Sequence, residues 1–224
     1  MKKLIEGIVD FRKKLTEESR SLFAKLALGV LPDALFIACS DSRVVPNLFA
    51  STNPGDLFVL RNIGNLIPPS TLSISDSSAS AVLEYAVFTL HVSDIVICGH
   101  SECGAMLALS KGINSSCCPH LQSWLQYGKS SFAKLHDPNK ELILDEQLSL
   151  HNQLSQVNVL QQMEHVASYP FIQEKIKANE LRIHGWWFDI AKADVYCYEP
   201  LVKRFVLIDE NEAKCILERM KESY

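Results

Sequence analysis

The stretch Ala34-Leu-Phe-Ile-Ala-Cys-Ser-Asp-Ser-Arg43 decides the fold of this 224-residue chain, because a short apolar run leads straight into reactive polar side chains. The same arrangement recurs in Ile95-Val-Ile-Cys-Gly-His-Ser-Glu-Cys-Gly104. Short apolar runs bounded by turn residues are typical of strands that are covered on both faces. Two such strands separated by a segment of helical spacing predict a parallel sheet flanked by helices.

The rest of the chain supports an α/β fold with a mostly parallel β-sheet core flanked by α-helices. Helical spacing of apolar residues predicts these helical segments: an N-terminal arm over about residues 1–30, then 77–90, much of 121–168, and 210–222. Strands are expected over 34–38, 57–61, 95–98, 181–190 and 195–198, the last two as a pair.

The composition is that of an ordinary globular protein. With 47% hydrophobic and 21% charged residues, residues 1–224 are expected to form one domain with a substantial core. A formal charge of −4 argues against nucleic acid as a partner. No secretory signal is recognisable, and no apolar run approaches the ~20 residues that span a membrane. We therefore expect a cytoplasmic protein that binds neither membrane nor nucleic acid.

Three residues of the two opening stretches predict a metal site. Seven cysteines, an odd number, argue against an all-disulfide framework and favour reduced thiols. Ligands of open α/β sheets gather beyond the carboxyl ends of strands, so the two loops should meet there. Two thiolates and an imidazole, from Cys39, Cys103 and His100, suit zinc, and three ligands leave the fourth position that a catalytic site needs.

Asp41 and Arg43 follow the first of these cysteines. Two thiolates cancel the charge of a zinc ion, so a bound water loses its proton less readily than at three histidines. A carboxylate beside the metal can accept a hydrogen bond from zinc-bound hydroxide, while a guanidinium holds that carboxylate in a two-pronged pair. If Arg43 released it, Asp41 could instead bind the zinc as a fourth ligand and close the site.

Taken together, these and other motifs of the sequence resemble those of a known family. The chain is identified as a member of the β-class carbonic anhydrases, over about residues 1–208, by four motifs: Cys39-Ser-Asp-Ser-Arg43, Arg61-Asn-Ile-Gly-Asn65, Glu84-Tyr-Ala-Val87 and Gly99-His-Ser-Glu-Cys-Gly-Ala105. It is most similar to the bacterial enzymes associated with cyanate metabolism, through Gly55-Asp-Leu-Phe-Val59, the segment 92–100 and His184-Gly-Trp186.

The resemblance implies the β-carbonic anhydrase fold and the reversible hydration of carbon dioxide to bicarbonate and a proton, by attack of zinc-bound hydroxide on carbon dioxide. It implies one zinc per subunit on Cys39, His100 and Cys103, with Asp41 and Arg43 as the catalytic pair. A homodimer, often paired into a homotetramer, is expected. The implied carbon dioxide pocket, partly across the dimer interface, maps onto Phe58, Ile63, Tyr85 and Gly104.

The chain departs from the family pattern at three places. Val30 stands where many members carry a Gln that donates a hydrogen bond to the substrate, so slower hydration is expected. Ser77-Ser78 replaces a usual pair of glycines, with no predicted effect. Phe36 stands where some bacterial members use a Trp to build an inhibitory bicarbonate site, so that site is expected to be absent.

Simpler interpretations of several residues stay open. Asp41 could cap the next helix, which would leave Arg43 as a surface charge. Cys117-Cys118 with His120 could form a second metal site, although a loop leading into a helix is the preferred interpretation. The following residues are expected to be structural: Cys98, Cys197, Cys215, His184, Trp186, Trp187 and Phe188.

Two other function classes compete with the enzyme. One is a family member that keeps zinc but works as a binding or regulatory protein, an alternative motivated by Val30 and Ser77-Ser78. The intact pair of Asp41 and Arg43 argues against it. The other is a dinucleotide-binding module, which needs a Gly-x-Gly-x-x-Gly turn after the first strand; Cys39-Ser-Asp-Ser-Arg43 stands there instead.

Overall fold

The structure, a computed structural model, describes residues 1–75, 77–112 and 117–222. At its centre lies a six-stranded sheet in the order β2-β1-β3-β4-β5-β6. The strands are β1 Ala34–Cys39, β2 Leu57–Asn62, β3 Asp94–His100, β4 Arg182–Asp189, β5 Asp194–Glu199 and β6 Arg204–Leu207. The first four strands pair in parallel and the last two join them antiparallel. The predicted mostly parallel α/β sheet is confirmed.

Helices make up most of the remainder. They are α1 Lys2–Lys14, α2 Glu17–Leu26, α3 Pro46–Phe49, α4 Ser77–Glu84, α5 Gly104–Lys111, α6 Pro119–Leu125, α7 Lys129–Leu135, α8 Leu150–Ala167, α9 Pro170–Lys177 and α10 Glu210–Glu222. Short 3₁₀ turns cover Ile63–Asn65, Ser70–Ser75 and Gln126–Gly128. The expected N-terminal arm is therefore a pair of helices. The segment 121–168 is helical, as expected, apart from the connection between α7 and α8.

Alternate residues of β1 enter two different packing layers. Leu35 and Ile37 belong to a core cluster with residues of α4, α8 and α9, whereas Phe36 and Ala38 pack in a second cluster. All six residues of β1 are buried. A strand covered on both faces has no polar alternation, which explains its continuous apolar sequence.

Helix α8 lies across β3 and β4 at very short range. A β-carbon placed on Gly99 would come within 2.7 Å of Val159, and one on Gly185 within 2.7 Å of the Met163 sulfur. Both glycines face the same helix, so side chains of α8 rest directly on the backbone of β3 and β4. This close approach holds the carboxyl end of β3, where the reactive residues begin, in a fixed place.

The structure differs from the sequence analysis in one helix boundary and one additional strand. The helix expected over 77–90 is α-helical only to Glu84; over Tyr85–Thr89 it widens into a π-turn, in which the Leu90 N–H donates to the Tyr85 carbonyl at 3.0 Å. Strand β6 was not expected at all. It is four residues long and lies at an edge of the sheet, so it offers too short a pattern to recognise.

Candidate metal centre

Three side chains meet where two neighbouring parallel strands end. Cys39 is the last residue of β1, His100 is the last residue of β3, and Cys103 directly precedes α5. Their ligand atoms all lie within 4.8 Å of one another and all three residues are buried. Within residues 1–75, 77–112 and 117–222, this is the group of three such residues placed to hold a metal ion. The sheet order thus brings together the residues that the sequence singled out.

The imidazole of His100 fits a metal ligand. Its Nδ1 lies 2.8 Å from the Ser101 carbonyl oxygen, a contact that places the ring proton on Nδ1 and leaves the lone pair on Nε2. That Nε2 is buried and has no hydrogen-bond partner. A buried polar atom left without a partner is costly, and a metal ion would satisfy it.

The two thiols complete a donor set that suits zinc. A hydrogen bond from the Cys103 thiol lowers the pKa of Cys39 to about 4, with further help from His100 and Gly64. The Gly64 N–H donates to the Cys39 sulfur at 3.4 Å. Gly64 has φ +78°, and a β-carbon there would lie 2.9 Å from that of Ala105, so glycine is required at this position. The contact with Cys39 and burial raise the pKa of Cys103, so the two thiols favour a single negative charge, on Cys39.

Asp41 and Arg43 form a two-pronged pair beside this group. Arg43 donates from Nε to Asp41 Oδ1 at 2.9 Å and from Nη2 to Oδ2 at 2.7 Å, and its backbone N–H adds a third bond at 3.0 Å. These bonds hold the pKa of Asp41 well below its usual range. The next helix, α3, has Val45 rather than Asp41 at its cap, so the helix-capping interpretation of Asp41 is wrong.

Arg61 of β2 holds the backbone that carries two of these residues. Its Nε and Nη2 donate to the Cys39 carbonyl at 3.0 and 2.9 Å, and Nη2 donates to the Asp41 carbonyl at 2.6 Å. The motif that begins at Arg61 supported the family resemblance, but its role could not be derived from the sequence. The parallel pairing of β1 with β2 places Arg61 beside the end of β1, where it can hold this backbone.

Glu102, between two of the candidate ligands, links this loop to α8. It has a positive φ of 56°, which is uncommon for a residue other than glycine. Asn152 accepts from the Glu102 N–H at 2.7 Å and donates to its carboxylate at 3.0 Å, while His151 approaches the same carboxylate at 3.2 Å. The Glu102 carbonyl accepts from Arg43 Nη2 at 3.0 Å. These partners lie about fifty residues apart, so sequence reasoning missed them.

The expected pocket residues are brought together only in part. The rings of Phe58 and Tyr85 lie 5.7 Å apart. Ile63 lines a separate cavity of about 340 Å³ with Ser40, Arg61 and Trp124 among its walls. Ile63 and Tyr85 are 45% and 50% exposed, so in the single chain this region is open to solvent. Gly104 is the first residue of α5.

The structure places the three positions that depart from the family pattern in the core, on the surface and at the start of a helix. Phe36 is buried, and its ring packs against Phe49 and Trp186 at centroid distances of 6.0 and 5.8 Å. Val30 is exposed to 43%, and Ser77 is the first residue of α4. An aromatic core contact thus occupies the position of the regulatory Trp.

Several residues flagged for simpler roles behave as expected. Cys98 and Cys197 are buried, and so are Trp187 and Phe188. His184 Nε2 lies 2.7 Å from Asp94 Oδ1 on the neighbouring strand. Cys215 is exposed on α10 and lies outside the group of residues that could hold a metal ion. Cys117 and Cys118 lie at the entrance to α6, as the loop-to-helix interpretation requires.

Comparisons with known proteins agree with this geometry. A family model described as carbonic anhydrase matches residues 34–195. The carbonic anhydrase of Pseudomonas aeruginosa is 35% identical over 94% of this chain and 93% of its own length. Carbonic anhydrase 1 of Escherichia coli O157:H7 is 34% identical over 97% and 96% of the two chains.

Solved structures narrow the family to one class. The β-carbonic anhydrase CcaA superposes with a TM-score of 0.82 at 34% identity, over 94% of this chain and 92% of that one. A structure from a study of two tetrameric β-carbonic anhydrases of Sordaria macrospora gives 0.73 at 31% identity, over 87% and 94%. Separately, no helix among the described residues has the length and apolarity to cross a membrane. By sequence, fold and the buried trio of Cys39, His100 and Cys103, this chain belongs to the β-class of the carbonic anhydrase family.

Proposed function

We propose that this chain interconverts carbon dioxide and bicarbonate at one zinc ion per subunit, held by Cys39, His100 and Cys103. The observation that carries the proposal is the buried His100 Nε2, which has no hydrogen-bond partner and lies beside two thiols. Zinc bound there would lower the pKa of a coordinated water and so supply a nucleophile for carbon dioxide. Three protein ligands would leave a fourth position for water or substrate, whereas a structural zinc site usually has four protein ligands.

Asp41 orients the nucleophile in this proposal. Because Arg43 keeps Asp41 ionised, its carboxylate can accept a hydrogen bond from the attacking oxygen but cannot donate one. That hydrogen bond would fix the orientation of the oxygen and so turn a lone pair toward the substrate. Arg43 is itself anchored on the Glu102 carbonyl, so the pair is fixed before substrate arrives. If Arg43 moved away, Asp41 could become the fourth zinc ligand and close the site.

A second copy of the chain would complete the carbon dioxide pocket. Tyr85 and Ile63 are about half exposed in the single chain, although an apolar pocket should exclude water. We place Phe58, Ile63, Tyr85 and Gly104 in this pocket, with a homodimer as the smallest unit and a homotetramer as an extension. The tetrameric enzymes among the similar structures support this assembly.

Further parts of the proposal follow from the sequence. Residues 1–224 act as one catalytic domain in the cytoplasm, without membrane or nucleic-acid partners. Val30 cannot donate a hydrogen bond to the substrate, so turnover is slower than in members with Gln at this position. A link to cyanate breakdown stays a prediction, which an assay of coupled cyanate consumption in the source cells would check.

Stopped-flow hydration of carbon dioxide on metal-quantified protein tests the proposal, from about pH 6.5 to 9. Activity should rise with pH at one zinc per subunit, because two thiolate ligands keep the bound water weakly acidic. Cys39→Ser should lose zinc and activity together. Asp41→Ala should keep zinc but lower kcat/KM by about a hundredfold or more. Cys215→Ser, at an exposed thiol outside the site, is the matched control.

Three results would contradict the proposal. Full zinc occupancy without turnover at any pH would favour the binding or regulatory protein. Unchanged hydration in Asp41→Ala would show that the pair of Asp41 and Arg43 is not catalytic. Unchanged zinc content in Cys39→Ser would reject the ligand assignment itself.

A further inference from the structure

A pair of adjacent thiols lies outside the metal centre, at Cys117 and Cys118. Their sulfur atoms are 3.5 Å apart, Cys117 is exposed and Cys118 is partly exposed. Buried thiols such as Cys98 are inert because reagents cannot reach them, whereas reachable neighbouring thiols can be oxidised together. Neither the metal nor the hydration reaction uses this pair.

We propose that Cys117 and Cys118 form a reversible redox site that a small-molecule disulfide, of the glutathione disulfide type, converts into an intramolecular disulfide, and that this oxidation alters the carbon dioxide pocket through α6. The first part is independent of the function proposed above. The second part rests on it, because it uses the assignment of Ile63 to the pocket.

The two thiols have different roles in the exchange. The hydrogen bond with Cys117 and the charge of Cys117 raise the pKa of Cys118. Cys117 is the more exposed of the two thiols, so its thiolate is the one that a small disulfide meets first. That thiolate attacks one sulfur of the small disulfide, whose S–S bond breaks and releases one small thiol. Cys118 then loses its proton to solvent, attacks the Cys117 sulfur and displaces the second small thiol. Two protein thiols are oxidised and one small disulfide is reduced.

Chain geometry makes this disulfide reversible rather than structural. Adjacent α-carbons are ~3.8 Å apart across a trans peptide, closer than the ~4.4–6.8 Å that a relaxed disulfide prefers. The eight-membered ring is therefore strained, and strained, exposed disulfides are readily reduced by excess thiol. Closing the ring must also change the backbone at Cys118, which now has φ −137° and ψ 57°.

Helix α6 carries that change to the proposed pocket. The Cys118 carbonyl accepts from the Gln122 N–H at 3.0 Å, which forms the first turn of the helix. Near the other end of this short helix, the Trp124 indole N–H donates to the Ile63 carbonyl at 2.7 Å. The residue after Ile63 is Gly64, which donates to the Cys39 sulfur. A shift of α6 thus reaches both a pocket wall and a candidate ligand.

The test of the redox site treats zinc-loaded protein with glutathione disulfide and maps its peptides by mass spectrometry without reduction. Zinc protects Cys39 and Cys103 during the reaction. We expect a peptide that has lost two hydrogen atoms and contains the Cys117–Cys118 link, restored by excess glutathione. Cys118→Ser should instead keep a glutathione adduct on Cys117, and Cys215→Ser should behave as wild type. Two separate adducts, a link between chains, or no reaction at this pair would overturn the site.

Hydration kinetics on the same samples test the coupling. Oxidation should lower kcat/KM for carbon dioxide by about threefold to tenfold in wild type, as small displacements near a reacting centre do. Cys118→Ser should show no such fall, because it cannot form the disulfide. Trp124→Phe should show none either, because it lacks the indole N–H that links α6 to Ile63. Full oxidation with unchanged kinetics would overturn the link to the pocket. Inactivity of the reduced enzyme would refute the proposed function and leave the oxidation result standing.

Discussion

Glu102 shows how single residues hold this site together. Its carbonyl fixes Arg43, and Arg43 fixes the Asp41 carboxylate. Glu102 itself is kept at φ +56° by the Asn152 side chain, which contacts both its N–H and its carboxylate. A strained backbone conformation persists only where its surroundings determine it, so we expect Asn152 to be a positioning residue for the proposed catalytic pair.

Replacing Asn152 with Ala tests this chain of contacts. The Glu102 N–H would lose its acceptor, at a cost of about 1–3 kcal/mol in unfolding free energy. With Arg43 less well anchored, kcat/KM should fall about tenfold while zinc content stays at the wild-type level. Zinc analysis, chemical denaturation and stopped-flow hydration measure the three quantities. Asn139→Ala, at an exposed asparagine, is the control; equal kinetics in both variants would contradict the positioning role.

At this scale the sequence predicted residues next to strand ends and missed those that reach the site from far along the chain. Cys39, His100 and Cys103 could be placed because each follows a recognisable strand. The contact between Glu102 and Asn152 depends on where α8 crosses the sheet, and no local pattern encodes that crossing. Hydrogen bonds across such distances need the packed structure.

Among the elements, α8 and strand β3 show how packing positions the site. Gly99 precedes the candidate ligand His100, and a β-carbon there would lie 2.7 Å from Val159 and 3.2 Å from the Ser155 backbone oxygen. Because one of these neighbours is backbone, it cannot rotate away. The helix therefore depends on a glycine in the strand beneath it.

Gly99→Ala should destabilise the protein by about 1–3 kcal/mol, the usual cost of overpacking a filled core. Thermal and denaturant unfolding measure the loss of stability. Because Gly99 directly precedes His100, the variant should also bind zinc more weakly, as measured by competition with a chelator. Gly7→Ala adds the same methyl group in α1, where nothing lies within 4 Å, and should keep or slightly raise the stability, since Ala favours a helix over Gly by ~1 kcal/mol, without changing zinc affinity. Equal stability of the two variants would show that α8 can shift to accommodate the methyl group, which would contradict the need for glycine at position 99.

The paired strands β3 and β4 carry a separate, pH-dependent contact. Burial raises the pKa of Asp94, but hydrogen bonds from Arg182, His184 and Ser93 outweigh it and hold the pKa well below the usual range. Arg182 donates twice to this carboxylate, each time at 2.8 Å. A depressed folded-state pKa adds stability above the unfolded value of ~3.9, and this contribution disappears as the pH falls below it.

Asp94→Asn should therefore lower the unfolding free energy at pH 7 by about 1.5–3 kcal/mol. The difference from wild type should shrink as the pH falls below about 4, because the unfolded wild type then takes up a proton that the folded state binds only at a lower pH. Urea denaturation at several pH values gives the comparison, with Asp10→Asn on the exposed helix α1 as control. A difference that stays constant down to pH 2 would rule out the ionic contribution.

The predicted and missed elements differ in length and in burial. Strands β1 and β3 were predictable because their covered positions, apart from His100 at the end of β3, are apolar. Helix α1 was predictable because its apolar residues repeat at helical spacing. Strand β6 lacks both signals in four partly exposed residues. The π-turn at Tyr85 depends on one shifted backbone hydrogen bond, which amino-acid pattern does not specify.

The whole molecule has an apolar surface that its own fold does not cover. Helix α1 has no buried residue, although Leu4, Ile5, Ile8 and Phe11 are each more than half exposed. Phe11 contacts only the edge of Phe23 on α2, at 6.3 Å between ring centres, among the ring contacts described. A contiguous exposed apolar stripe on a helix marks an interaction surface. The proposed homo-oligomer supplies the partner, since a second copy offers the same stripe.

Ile8→Asp places a charge in the middle of this stripe and should weaken the assembly, because burying an unpaired carboxylate is unfavourable. Light scattering after size exclusion should give a dimer or tetramer mass for wild type and a lower mass for the variant at equal concentration. Lys3→Asp introduces the same side chain on the opposite face of α1 and should keep the wild-type mass. If the pocket is completed by the second copy, Ile8→Asp should also lose activity on dilution. A monomeric wild type with full activity would separate catalysis from assembly and place the whole pocket within one chain.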